Sequence, residues 1–150
     1  MTTRERNRRV NGQGGSVLLE ALVAILIFSV GILAVVGMQT AAVKASSDAK
    51  YRSDASLLAN EILGQMWVSD RVAANMQANF QGGGGTNGTA YTAWLANVIA
   101  ALPGVTATVN QPTVTVNTAN GQVTVVVKWL LPSEPAGTTA HNYTVIAQIK

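Results

Sequence analysis

Apolar and polar positions fall in blocks along this chain. A polar stretch of fifteen residues opens it, and from Ser16 the pattern turns apolar: Val17, Leu18 and Leu19, one acidic residue, Glu20, then eighteen residues from Ala21 to Met38 without a charge. At ~1.5 Å per helical residue, a stretch starting at Ser16 spans roughly the ~30 Å hydrocarbon core of a bilayer. A core helix buried on all sides would need more covering surface than the small remainder of the chain supplies. Residues 16–38 are therefore expected to insert into a membrane.

Beyond Met38 the period changes. Tyr51, Ala55, Leu58, Ile62 and Met66 recur at helical spacing and form one apolar face, which Leu57 and Leu63 are expected to widen. Asp48 with Arg52 and Lys50 with Asp54 stand four apart on what reads as the exposed face. No proline interrupts residues 16–80. The pattern predicts one helix of about 60 residues and ~90 Å. Residues 16–38 are apolar all round, and 39–80 are amphipathic and in need of a sheet to lie on. Gly31 and Gly37 allow two readings, close packing against other helices or a weak point in the helix.

Residues 81–150 read as a small α/β globular part. Gln81–Gly88 (QGGGGTNG) is expected to be a flexible loop, and no Gly-Lys-Ser/Thr follows it to make a phosphate cradle. Trp94, Leu95, Val98, Ile99 and Leu102 give Ala90–Leu102 the face of a short amphipathic helix, stopped by Pro103-Gly104. Strand alternation follows at Val105, Ala107 and Val109, at Val114 and Val116, at Val123, Val125, Val127 and Trp129, and at Tyr143, Val145, Ala147 and Ile149. Asn120-Gly121 signals a two-residue hairpin turn. The expected class is α+β, one long N-terminal helix packed on a small antiparallel meander.

Charge changes the picture in one respect. The formal net charge of +3 points toward acidic partners, but the whole excess comes from Arg4, Arg6, Arg8 and Arg9 in the opening fifteen residues; the rest carries six charges of each sign. No basic patch is left for nucleic acid. The arginines instead place the N-terminus in the cytoplasm and send the remainder across the membrane. Without cysteine there is no disulfide framework or thiolate site, and a single histidine, His141, gives no basis for a metal cluster or an acid–base pair. His141 reads as a surface or hydrogen-bonding group, and Trp67, Trp94 and Trp129 as core or interface anchors. Neither a catalytic constellation nor a cofactor is expected.

Glu20 is the residue that discriminates. Three readings fit an N-terminal apolar segment: a secretory signal peptide, for which Thr40-Ala41-Ala42 would be a poor cleavage site, a plain single-pass anchor, or a processed leader. A carboxylate at the centre of a membrane helix costs about 2.5–3.5 kcal/mol, less toward the interface, and the first two readings have no use for it. It requires a cationic partner.

The run Gly15, then Ser16-Val17-Leu18-Leu19-Glu20, resembles the processing motif of the type IV pilin family: a glycine, a cut, and an apolar stretch whose fifth residue is glutamate. The resemblance implies that prepilin peptidase cuts between Gly15 and Ser16, releasing residues 1–15 as a leader, and methylates the new amino group of Ser16. It also implies that Glu20 pairs with the N-terminal amine of a neighbouring subunit in the filament. The run from Ala49 to Met66, with Tyr51-Arg52, Ala55, Leu58-Ala59 and Glu61, looks like the corresponding helix of PilV-like minor pilins. Leu102-Pro103-Gly104, the strand ending in Trp129 and the closing strand with His141 and Tyr143 fit the same group. Such a subunit would wait in the inner membrane with its C-terminal part periplasmic and then enter an extracellular pilus. Its partners would be major and minor pilins, the peptidase and the pilus assembly machinery. A minor pseudopilin of a secretion or DNA-uptake system shares these features, and a plain membrane protein with a periplasmic binding domain is the reading from a different class.

Overall fold

The computed structural model describes residues 14–135 and 137–149, in the order α1 (Gly14–Val68), α2 (Ala73–Phe80), α3 (Thr89–Ala101), β1 (Thr113–Asn117), β2 (Gln122–Trp129) and β3 (His141–Gln148). Arg4, Arg6, Arg8 and Arg9 lie outside the described residues. The chain divides into two units after Val43, with α1 running through the division.

In the N-terminal unit α1 has no covering at all. Every side chain from Gly15 to Val43 is exposed. Phe28 keeps 69% of its surface open and Leu33 76%. This segment is long and apolar enough to cross a membrane. A face of that size is not stable in water and requires lipid or other helices around it.

The C-terminal unit, from Lys44 onward, holds the core. Ala55, Leu58, Ala59, Ile62, Leu63 and Met66 of α1 are buried against Val114, Val116, Val123, Val125, Val127 and Trp129 of the sheet and against Met76, Phe80, Tyr91, Trp94 and Val98 of α2 and α3. The apolar stripe on the second half of α1 is therefore buried as its spacing predicts. Leu57 departs from it: it points to solvent with 65% of its surface open, and Ala59 takes a buried place instead.

The helix is not continuous to residue 80. It stops at Val68, and α2 begins at Ala73. Polar side chains near the break satisfy the backbone there instead of the helix ladder. Ser69 Oγ donates to Met66 O (2.9 Å), and Asp70 Oδ1 accepts from the Val72 amide (3.0 Å) and its other oxygen from Asn75 Nδ2. Such local bonds compete with helix continuation without any proline or glycine. Those two donors hold the Asp70 carboxyl below its usual range.

The sheet is an antiparallel meander, ordered β1-β2-β3, with Val114 opposite Val125 and Val125 opposite Val145. Alternation along β2 puts Val123, Val125, Val127 and Trp129 on the buried face, as their spacing predicts. Two expectations fail locally. Residues 105–109 form no strand, because Thr106 Oγ1 accepts from the Val109 amide (2.9 Å) and closes a turn. The β1–β2 turn has four residues rather than two: Asn117 Oδ1 accepts from Ala119 N, Asn120 Oδ1 from Gln122 N, and Gly121 takes φ of 70°.

The glycine run after α2 begins with two residues held in place, Gly82 and Gly83. Gly82 pairs with Val114 through both backbone groups (3.0 and 3.1 Å), extending the sheet edge beyond β1. A Cβ at Gly82 would collide with the Tyr91 ring, and Gly83 holds φ of 86° with the Pro112 carbonyl against it. Tyr91 donates to Pro112 O at 2.7 Å, and burial raises its phenol to about 12. Next to it, Trp94 Nε1 donates to Leu58 O at 2.9 Å and ties α3 to α1. Ile99, expected in the stripe of this helix, lies at its margin with 38% of its surface open.

Candidate functional site

At the N-terminal end, Gly15, Ser16 and Glu20 lie on the opening turns of α1. A Cβ added at Gly15 would meet nothing within 4 Å. Among the described residues no packing calls for glycine there, although glycine in a helix costs about 1 kcal/mol relative to alanine. The same holds for Gly31 and Gly37, which have open space beside them.

Glu20 sits exposed on this helix, and among the described residues nothing pairs with it. The residues one turn away, Ser16, Val17, Val23 and Ala24, include no base. Ser29, the one polar side chain between Ala21 and Met38, behaves differently: its hydroxyl donates to Ile25 O at 2.7 Å and is satisfied within its own helix. Glu20 is thus the polar group of the apolar segment whose partner has to come from outside α1. Gly15, Ser16 and Glu20 come together simply by following one another along a helix; the structure adds exposure and the missing base.

A second group of polar residues gathers in the C-terminal unit, around His141. This residue opens β3 directly opposite Trp129, so the two rings share the face of the sheet that receives α1. They stack at 5.7 Å between centroids and 16° between planes. His141 Nε2 lies 3.0 Å and 3.2 Å from the two oxygens of Glu134, and Nδ1 lies 3.2 Å from Asp48 Oδ1 on α1. Glu134 is held by its own turn, where its Oε2 accepts from the Leu131 amide at 3.2 Å and its amide donates to Leu131 O at 3.0 Å. The His141 hydrogen bond, with help from the Leu131 amide and the charge of Lys44, keeps the Glu134 carboxyl below its usual range.

Asp48 is consequently not a solvated residue on the outer face of the helix. It is half-buried, 31% exposed, and its Oδ1 is shut off from water with no hydrogen bond. Sequence reasoning missed this cluster. Its members are 86 and 93 residues apart in the chain from Asp48, and only the pairing of β3 with β2 brings them onto one face. Alternation puts Trp129 and His141 on the inward faces of their strands, but the register that sets them opposite each other does not follow from it. The two ring nitrogens point in opposite directions, so Asp48 and Glu134 do not converge on one point, and among the described residues no group of acidic and histidine side chains is disposed to hold a metal.

No protein-family model matches this chain, and comparisons with curated proteins and with solved structures find no significant similarity.

Proposed function

We propose that this chain is a minor pilin of a type IV pilus, cut between Gly15 and Ser16 by prepilin peptidase, methylated on Ser16 and built into the filament or its initiating complex. The observation that carries the reading is Glu20: an exposed carboxylate, unpartnered among the described residues, five residues after Gly15 in the apolar half of α1. Cutting after Gly15 creates an amine at Ser16, the N-terminus of the same helix. In a bundle of such helices the amine of one subunit is the cation that the carboxylate of the next lacks. Each group is expensive in an apolar surround when alone, and pairing removes most of that cost.

The rest of the chain supports this role. The uncovered half of α1 needs neighbouring helices, and Gly31 and Gly37, which nothing within the chain requires, allow helices to approach closely. The second half of α1 carries a compact α+β unit that stays outside the membrane and offers its surface to other subunits. Before assembly the chain rests in the inner membrane with residues 1–15 cytoplasmic. Assembly force comes from other proteins.

The test is the fate of Glu20→Ala in a piliated host. The variant is expected to be processed and to accumulate in the membrane while dropping out of sheared filaments. A Glu20→Ala chain recovered in filaments at the wild-type level contradicts the pairing role.

A further inference from the structure

The arrangement around His141 contains more than a stabilising contact. We infer that Asp48, His141 and Glu134 form a proton-controlled clip that fixes the first covered turn of α1 to the sheet. Along α1 the side chains are exposed up to Ser46; Ser47, Asp48 and Tyr51 are the first to be partly covered. The clip therefore sits where the packed part of the helix begins.

Its proton dependence follows from the imidazole itself. Each ring nitrogen faces a carboxylate, Nε2 at 3.0 Å from Glu134 and Nδ1 at 3.2 Å from Asp48. A doubly protonated ring presents N–H to both. A neutral ring has one N–H, so either tautomer sets a nitrogen lone pair against a carboxylate oxygen. Stacking on Trp129 prevents the ring from turning away, and Glu134 is pinned by the Leu131 amide. Asp48 is the free side of the clip: its Oδ1 is shut off from water and makes no hydrogen bond, only the 3.2 Å approach to Nδ1. Loss of the proton thus releases Asp48, and with it the turn from Lys44 to Arg52.

The other charges around the ring are few. On α1, Lys44 and Arg52 stand four residues on either side of Asp48, and Lys44 bears on Glu134. From the β2–β3 connection comes Glu134; β2 supplies the Trp129 ring, and on β3 the next residue of that face is Tyr143. The clip is closed while the imidazole carries both protons and opens when it gives one up.

The experiment uses the full chain in detergent micelles. Amide exchange of residues 44–52, corrected for the intrinsic pH dependence of exchange, is compared at pH 6 and pH 8. Wild type is expected to lose protection about five- to tenfold at the higher pH, the scale of one partly exposed charge-assisted contact. Asp48→Asn removes the second carboxylate and lets a neutral ring donate to Glu134, so its protection should be the same at both values. Imidazole ¹⁵N shifts at pH 6 should show both nitrogens of His141 protonated. Equal protection of wild type at the two pH values, an undiminished pH step in Asp48→Asn, or a singly protonated ring at pH 6 would each overturn the clip.

Discussion

The bond between Trp94 and the backbone of α1 allows a graded prediction. Trp94 is 1% exposed, stacks obliquely on Tyr91 at 5.8 Å between centroids, and donates its indole N–H to Leu58 O at 2.9 Å. Trp94→Phe keeps a ring in the site but removes the donor and part of the volume. A neutral hydrogen bond contributes about 0.5–1.5 kcal/mol. The loss falls in the lower half of that range, because a carbonyl inside a helix already accepts from the amide four residues on. Adding the small cavity gives about 1–2 kcal/mol for Phe, against about 3–5 kcal/mol for Trp94→Ala, which empties the site. For a domain of this size each kcal/mol shifts the melting point by roughly 4–8 °C. Thermal unfolding of the full chain in micelles, followed by near-ultraviolet circular dichroism from the fully buried Trp129, is the assay. A Phe variant melting roughly 5–10 °C below wild type and an Ala variant far below that are expected. If Trp94→Ala costs less than about 1 kcal/mol, or Phe costs as much as Ala, Trp94 does not hold α3 to α1.

Two further expectations concern the loop and strand that Tyr91 anchors. Its phenol, raised to about 12 by burial, stays neutral in the folded chain over a range where an unfolded one ionises. Stability from this group is therefore complete below pH 10 and is lost as pH climbs toward 12; Tyr91→Phe should remove that alkaline slope in melts recorded from pH 9 upward. Gly83→Ala, at φ of 86° with the Pro112 carbonyl in its way, should destabilise by about 1–3 kcal/mol, whereas Gly84→Ala, with open space beside it, should be nearly neutral in the same melts.

What could be read in advance depended on whether the deciding interactions were local in sequence. The apolar half of α1, the stripe from Ala55 to Met66 and the buried face of β2 all follow from spacing alone, and the structure has them. The break at Ser69–Val72 was missed because it rests on side-chain bonds from Ser69 and Asp70, residues that a helix tolerates when they point to solvent. Val105 to Val109 alternates like a strand, yet the Thr106 hydroxyl closes a turn there. That Gly82 and Gly83 are held was not legible, because nothing in sequence shows that Tyr91 and Pro112 approach them. The placing of Gly15, Ser16 and Glu20 on one helix was legible because a helix needs only counting. The His141 cluster was not, because it exists only once the register of β2 with β3 is set.

A cut after Gly15 is central to the proposed role, and the intact mass of the chain recovered from filaments of a cell that makes type IV pili tests it most directly. The expected species begins at Ser16, contains the 135 residues to Lys150 and carries one methyl group on its amine. Replacing Gly15 with a bulky residue should leave all 150 residues in place and confine the chain to the membrane. A wild-type chain that keeps residues 1–15, or one cut after the apolar segment instead, would contradict the account.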